Sequence, residues 1–205
     1  MMAKSTSRWL NYTVRGVGIL ILAITFSVLV AKRVSDGPVT AMIPGAELRA
    51  GTLVADADVD WLTVLQGGGT CVNGACAPMK PVELQLVEPP TSRYVGIMVH
   101  EGELYVPCDL GFMWGRFEGG QRWILHLIYV FKRWHQDAVR DGRVVLRIDG
   151  KRYEGLAVRV TDSELLVALR AQLEDMARQW VAPNPLAPPP HEGPNDIWFF
   201  RIDPR

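Results

Sequence analysis

The chain has 205 residues, of which 48% are apolar and seven are Trp, and its 22 basic and 22 acidic side chains give a formal net charge of zero. That much apolar and aromatic surface excludes disorder over most of the length, and the composition excludes collagen-like and low-complexity sequence. The length fits one globular domain with an appendage.

The appendage is the N-terminus. After a basic flank at residues 1–15, sixteen uncharged residues run from Gly16 to Ala31 between Arg15 and Lys32. As a helix they cover roughly 24 Å, slightly less than a hydrocarbon core of about 30 Å. Arg15, Lys32 and Arg33 can snorkel to the head groups, which extends the predicted transmembrane helix to residues 16–34. Trp9 and Tyr12 sit where an interfacial aromatic belt belongs. A signal peptide shares the basic start and apolar middle, but its cleavage site would have to be Leu29-Val30-Ala31. That site lacks a small residue at its first position, and two basic residues follow at once. The expectation is an uncleaved single-pass anchor in the cell (inner) membrane, with the bilayer itself as a partner through Gly16–Ala31. Lys4, Arg8, Arg15 and the amino terminus precede the span, against Lys32 and Arg33 after it, so the positive-inside rule places the domain on the exported, periplasmic side.

Five of the 22 basic residues lie in residues 1–34 and none of the acidic ones do, which leaves residues 35–205 with a net charge of −5. Such a domain repels phosphate rather than releasing counterions, so nucleic acid is excluded as a partner.

Residues 35–60 contain Asp36-Gly37-Pro38 and Pro44-Gly45 and read as a tether, with one short strand within Glu47–Val54. The domain is expected over 61–205. It opens with Gly67–Gly69 and a loop running from Cys71 to Cys76. Strands are predicted at Val82–Glu88, at Arg93–His100 and Glu103–Asp109 joined by Glu101-Gly102, and at Arg143–Ile148 and Lys151–Thr161 joined by Asp149-Gly150. Asp196–Ile202 makes a sixth. Two helices interrupt them. Gln121–Arg140 places Trp123, Leu127, Val130, Phe131 and Trp134 on one stripe, and Ser163–Trp180 places Leu166, Leu169, Leu173, Met176 and Trp180 on another. Thr161 to Glu164 has capping-box spacing. Six prolines make Val181–Pro194 an irregular surface loop. Hairpins dominate and no βαβ alternation occurs, so the fold class is α+β, an antiparallel sheet curled into a barrel with flanking helices.

Over residues 82–203 the order of elements, with DGRVVLRIDGKRYEGLAV, IWFFRIDPR and Gly102-Glu-Leu-Tyr-Val-Pro, resembles the FMN-binding split β-barrel superfamily, nearest its deazaflavin-dependent nitroreductase-like branch. The resemblance implies an antiparallel split barrel, a homodimer with the cofactor between subunits, and FMN or a deazaflavin coenzyme. The family's phosphate-holding turn corresponds here to Glu88-Pro-Pro-Thr-Ser-Arg93, where Thr91, Ser92 and Arg93 can grip a phosphate. The usual glycines and lysine are absent from it, and two prolines lack N–H groups. Further cofactor contacts correspond to Cys108 and Asp109 and to Trp134 and His135.

The remaining candidates each carry an ordinary reading beside the functional one. Cys71 and Cys76 can form a structural disulfide, remain inert thiols, or take part in redox or metal chemistry. Cys108 reads as a buried strand thiol, or as one facing a cofactor. His100, His126, His135 and His191 share no ligand spacing, and no metal site is expected. Arg143, Arg147, Lys151, Arg152 and Arg159 read as a solvated hairpin face partly paired to Asp149 and Glu154, or as a surface for a phosphate or an anionic membrane. No nucleophile elbow, P-loop, dinucleotide fingerprint or zinc-helix motif occurs. The expected function is a membrane-tethered flavin- or deazaflavin-dependent oxidoreductase acting on a quinone-like or other lipophilic acceptor. The alternatives are a non-catalytic split-barrel binding or assembly module, and an accessory subunit of a membrane complex whose helix offers Gly16 and Gly18 for close approach.

Overall fold

A computed structural model of the chain describes residues 3–40, 43–55, 59–109, 133–181 and 197–205. Most of the predicted helix Gln121–Arg140, with Trp123 and His126, lies outside these residues. So do His191 and almost all of the proline-rich loop.

Helix α1 spans Ala3–Val34, and within it Tyr12–Val34 is long and apolar enough to cross a membrane (mean hydropathy 2.3, with none of its most apolar window buried). The strands are β1 (Thr52–Val54), β2 (Cys71–Val72), β3 (Ala75–Cys76), β4 (Lys80–Leu86), β5 (Thr91–His100), β6 (Glu103–Asp109), β7 (Arg143–Ile148), β8 (Lys151–Arg159) and β9 (Ile197–Pro204). Three further helices are α2 (Trp61–Val64), α3 (Trp134–Arg140) and α4 (Ser163–Val181).

The hairpins follow from their turn residues. Asn73-Gly74, Glu101-Gly102 and Asp149-Gly150 all hold positive φ at both positions, the requirement of a two-residue type I′ turn. These turns fix the pairing of Val72 with Ala75, His100 with Glu103 and Ile148 with Lys151. Helix α4 starts where Asp162 Oδ1 accepts from the Leu165 N–H at 2.8 Å, so the cap is Asp162, one residue beyond the predicted Thr161.

Six antiparallel strands close into a barrel in the order β8–β7–β4–β5–β6–β9, with β9 returning to β8. Strand β1 adds in parallel to the start of β8. The seam between β5 and β6 is short, registered only from Met98 to His100, whereas β6 pairs with β9 from Tyr105 to Asp109. This is the expected α+β architecture: an antiparallel barrel with flanking helices and an apolar N-terminal helix.

Alternation along each strand fills the barrel. Val82, Leu84, Leu86, Val95, Ile97, Val99, Leu104, Val106, Val144, Leu146, Phe200 and Ile202 form the interior with Cys108 and Tyr153. Trp61 and Leu65 close one end, Trp61 packing on Tyr153 at 5.4 Å, and Trp134 and Ala138 of α3 close the other. The opposite face of β5, β6 and β9 carries Met98, Tyr105 and Phe199. They pack under Leu169 and Met176 of α4 in a second cluster.

Residues 35–40 and 43–51, part of the stretch that reads as a tether, lie as a strap across the outside of the barrel. Gly45 pairs through its backbone with Ser92 of β5 in both directions (2.9 and 3.1 Å). The Leu48 N–H donates to Gln85 Oε1 of β4 at 2.7 Å, and Arg152 of β8 donates to the Leu48 and Gly51 carbonyls. Arg147 of β7 joins Glu83 to Asp36, and Asp36 in turn accepts from the Arg49 and Ala50 N–H groups. The pattern was invisible to a composition argument because the strap is held by its backbone, through polar partners that lie far along the chain. At Gly45 a Cβ would stand 1.7 Å from the Gly37 carbonyl oxygen. Gly45→Ala is therefore expected to lift the strap from Ser92. Faster proteolysis within residues 35–51 with an unchanged barrel circular-dichroism signal would register this, and unchanged proteolysis would contradict it.

Candidate functional site at the barrel mouth

The start of β5, the end of β6, the start of β9 and the end of β8 meet at one rim of the barrel, under α3. Arg93 belongs to the inward row of β5 with Val95, Ile97 and Val99, so its side chain enters the barrel mouth. Its guanidinium lies 5.8 Å from the Trp134 ring centroid. Its Nε is buried with no hydrogen-bond partner among the described residues. Burial lowers the Arg93 pKa to about 10, against smaller opposing pulls from the Cys108 thiol and from Asp137.

Across the rim, Arg159 ends the inward row of β8, with its guanidinium 3.6 Å from the Trp198 centroid. Trp198 also meets the edge of the buried His135 at 5.0 Å, and Trp134 packs on Phe200 at 5.4 Å. Cys108, almost fully buried, is the register partner of Trp198. The mouth thus holds two guanidiniums, two indoles, an imidazole and a thiol. The desolvated Arg93 and the exposed Arg159 can hold an anionic group, and the aromatic faces can hold a flat ring. Asp137 is turned partly to Arg140, 3.1 Å away.

Of the sequence-predicted site residues, the structure gathers Arg93, Cys108, Trp134 and His135. Thr91 shares the inward row of Arg93 and turns its hydroxyl to the Pro89 carbonyl at 3.4 Å. Ser92 points the other way, fully buried on the strap side with its Oγ unpartnered among the described residues. Asp109 ends β6 opposite Ile197, and its side chain lies outside the described set. Trp198 was missed as a site residue, although its parity with Phe200 and Ile202 on β9 was a usable signal. Arg159 was grouped with an outward arginine face that the structure divides. Arg143 pairs with Asp141 rather than Asp149 or Glu154, Arg147 and Arg152 hold the strap, and Asp149 pairs with Lys80 at 2.6 Å. The contacts with Arg143, led by its side-chain hydrogen bonds, hold the Asp141 pKa down to about 2.

Cys71 and Cys76 are bonded as a disulfide across the β2–β3 hairpin, and α4 clamps that hairpin. Gln179 accepts from the Cys76 N–H at 2.8 Å and donates to the Gly74 carbonyl at 2.7 Å, while Gln172 bonds His100 at 2.7 Å and the Val99 carbonyl at 2.8 Å. Replacing both cysteines by Ser is expected to cost about 2 kcal/mol, the loop-closure value for so short a ring. A denaturant titration checks this, and a stability unchanged from the parent would show that the Gln172 and Gln179 contacts alone fix the hairpin. No group of three or more His, Cys, Asp or Glu suited to a metal occurs among the described residues.

No protein-family model and no curated protein matches the chain. Six chains of solved structure do. A putative pyridoxamine 5'-phosphate oxidase from Listeria innocua is 15% identical, with a TM-score of 0.40 over 70% of this chain and 90% of that one. General Stress Protein 26 from Bacillus anthracis str. Sterne is 16% identical, with a TM-score of 0.37 over 69% of this chain and 84% of that one.

Proposed function

We propose that the chain is a membrane-tethered oxidoreductase whose barrel mouth binds the phosphate-bearing coenzyme FMN or a deazaflavin, and that it reduces a lipophilic, quinone-like acceptor. The observation that carries this reading is Arg93, a desolvated cation in the barrel mouth, laid against Trp134 with its Nε unpartnered among the described residues. An anionic group fits there, with Arg159 as a second cation. Trp134, Trp198 and His135 offer apolar and edge contacts to a ring and exclude water from it. The coenzyme supplies hydride transfer when bound. Ser92 does not fit this role, because it faces the strap.

The apolar Tyr12–Val34 helix supports tethering in the bilayer where quinones dissolve. The Cys71–Cys76 disulfide supports a domain on the oxidising side, in agreement with the charge bias. A homodimer accompanies this reading, as the resemblance implies, and light scattering in detergent checks it.

The test is an absorption spectrum of the full chain, purified in detergent and reconstituted separately with FMN and with the deazaflavin coenzyme. A stoichiometric chromophore, lost in Arg93→Ala, is expected. Binding of neither sinks the reading and leaves a non-catalytic assembly module. One observation favours that second reading: the strap occupies the outward face of β5 at Ser92, where the resemblance places part of a phosphate grip.

A further inference from the structure

A groove of about 910 Å³ runs between the last turns of α1 and the strap. Its helix wall is apolar, formed by Phe26, Leu29 and Val30, and these side chains stand at the end of the segment suited to cross a membrane. Its rim is charged. Lys32 and Arg33 contribute from α1, Arg49 and Glu47 from the strap. Three cations against one anion leave the rim positive, although the domain beyond α1 is net negative.

We propose that this groove seats one anionic phospholipid, with its acyl chain along Phe26, Leu29 and Val30 and its phosphate between Arg33 and Arg49. Chain and rim match the two halves of that molecule: an apolar wall at acyl depth, cations at the head-group level. Arg49 decides the matter. It sits fifteen residues beyond α1 in sequence, and the strap brings it back to the helix end. A helix flanked by basic residues attracts anionic lipid in general, whereas a built groove needs the strap. The Arg49 side chain is exposed and its ion pair with Glu47 is long, 3.9 Å, so the cation is available to a ligand. The strap is anchored at this point by the Arg49 backbone N–H on Asp36 rather than by the side chain, so its replacement leaves the fold intact.

The experiment uses the full chain reconstituted in bilayer discs of equal phosphatidylglycerol and phosphatidylcholine, released into the gas phase, with retained lipid counted by native mass spectrometry. Retention of phosphatidylglycerol over phosphatidylcholine is expected. Arg49→Gln should lower that preference about five-fold, the worth of one basic side chain at an anionic surface. Arg15→Gln, at the other end of the helix, should leave it unchanged, and Glu47→Gln, which removes the one anion, should raise it. Millimolar inorganic phosphate should not displace the lipid. No preference, an unchanged preference in Arg49→Gln, an equal loss in Arg15→Gln, or no rise in Glu47→Gln would each overturn the proposal. Displacement by phosphate would reassign the rim to a soluble anion and overturn the lipid.

Discussion

Arg93→Met is expected to stabilise the ligand-free protein by about 1–3 kcal/mol while removing its capacity to bind an anionic cofactor. The folded state holds this guanidinium at a pKa of about 10, lowered first by burial, whereas the unfolded chain hydrates it at its ordinary, higher value. The cation is therefore a cost to folding wherever it is charged in both states, that is, below pH 10. That cost fades as pH rises above 10 towards the ordinary guanidinium value. The contact with Trp134 returns only about 0.5–1 kcal/mol. Met keeps the length of the stem and drops the charge. Chemical unfolding of parent and variant at pH 7 gives the difference. A variant less stable than the parent would make Arg93 a structural member of the barrel, and the mouth would lose its claim as an anion site.

Arg147→Met should act in the opposite direction, with a loss of about 2–4 kcal/mol. Arg147 is itself largely buried and is the shared partner of Glu83 and Asp36, so its removal strands Glu83 and leaves Asp36 only the Arg49 and Ala50 N–H groups. The effect is also visible in pH. Burial alone would raise the Asp36 pKa, yet the Arg49 N–H, the Arg147 guanidinium and the Ala50 N–H outweigh it and hold the carboxyl below 3.8. A carboxylate depressed in this way contributes stability above its unfolded pKa, and the contribution is lost as pH falls below it. An acid-active protease should therefore cut residues 35–51 of the parent increasingly below about pH 4. The Arg147→Met strap should be cut already at neutral pH. Equal resistance in both proteins at pH 7 would show that Ser92, Gln85 and Arg152 hold the strap without Arg147.

These two arginines also mark what could and could not be read from the chain. Strands bounded by Glu101-Gly102 and Asp149-Gly150 were legible because a two-residue turn fixes register locally. Arg93, Cys108, Trp134 and His135 were legible through a resemblance, not through spacing. The strap was not legible. Gly45 and Leu48 pair through backbone groups with Ser92 and Gln85, and nothing in a turn-rich, polar stretch distinguishes a free linker from one pinned to the barrel by its N–H groups. Arg159 failed for a different reason. Alternation correctly splits β8 into two faces, but a residue at the end of the inward row leaves the barrel and looks exposed, and only the Trp198 ring beneath it reveals its side.

The ring of strands has a consequence in time. β9, at Ile197–Pro204, lies between β6 and β8 and makes both of the final seams. Until residue 204 is available, a nascent chain presents two unsatisfied strand edges, those of β6 and β8. Closure depends on contacts nearly a hundred residues apart, a slow step by loop-closure entropy. A premature stop before Ile197 would leave an open sheet whose edges invite pairing with another chain. Cells making this protein would then be guarding an unfinished barrel, with the burden falling on whatever shields exposed strands.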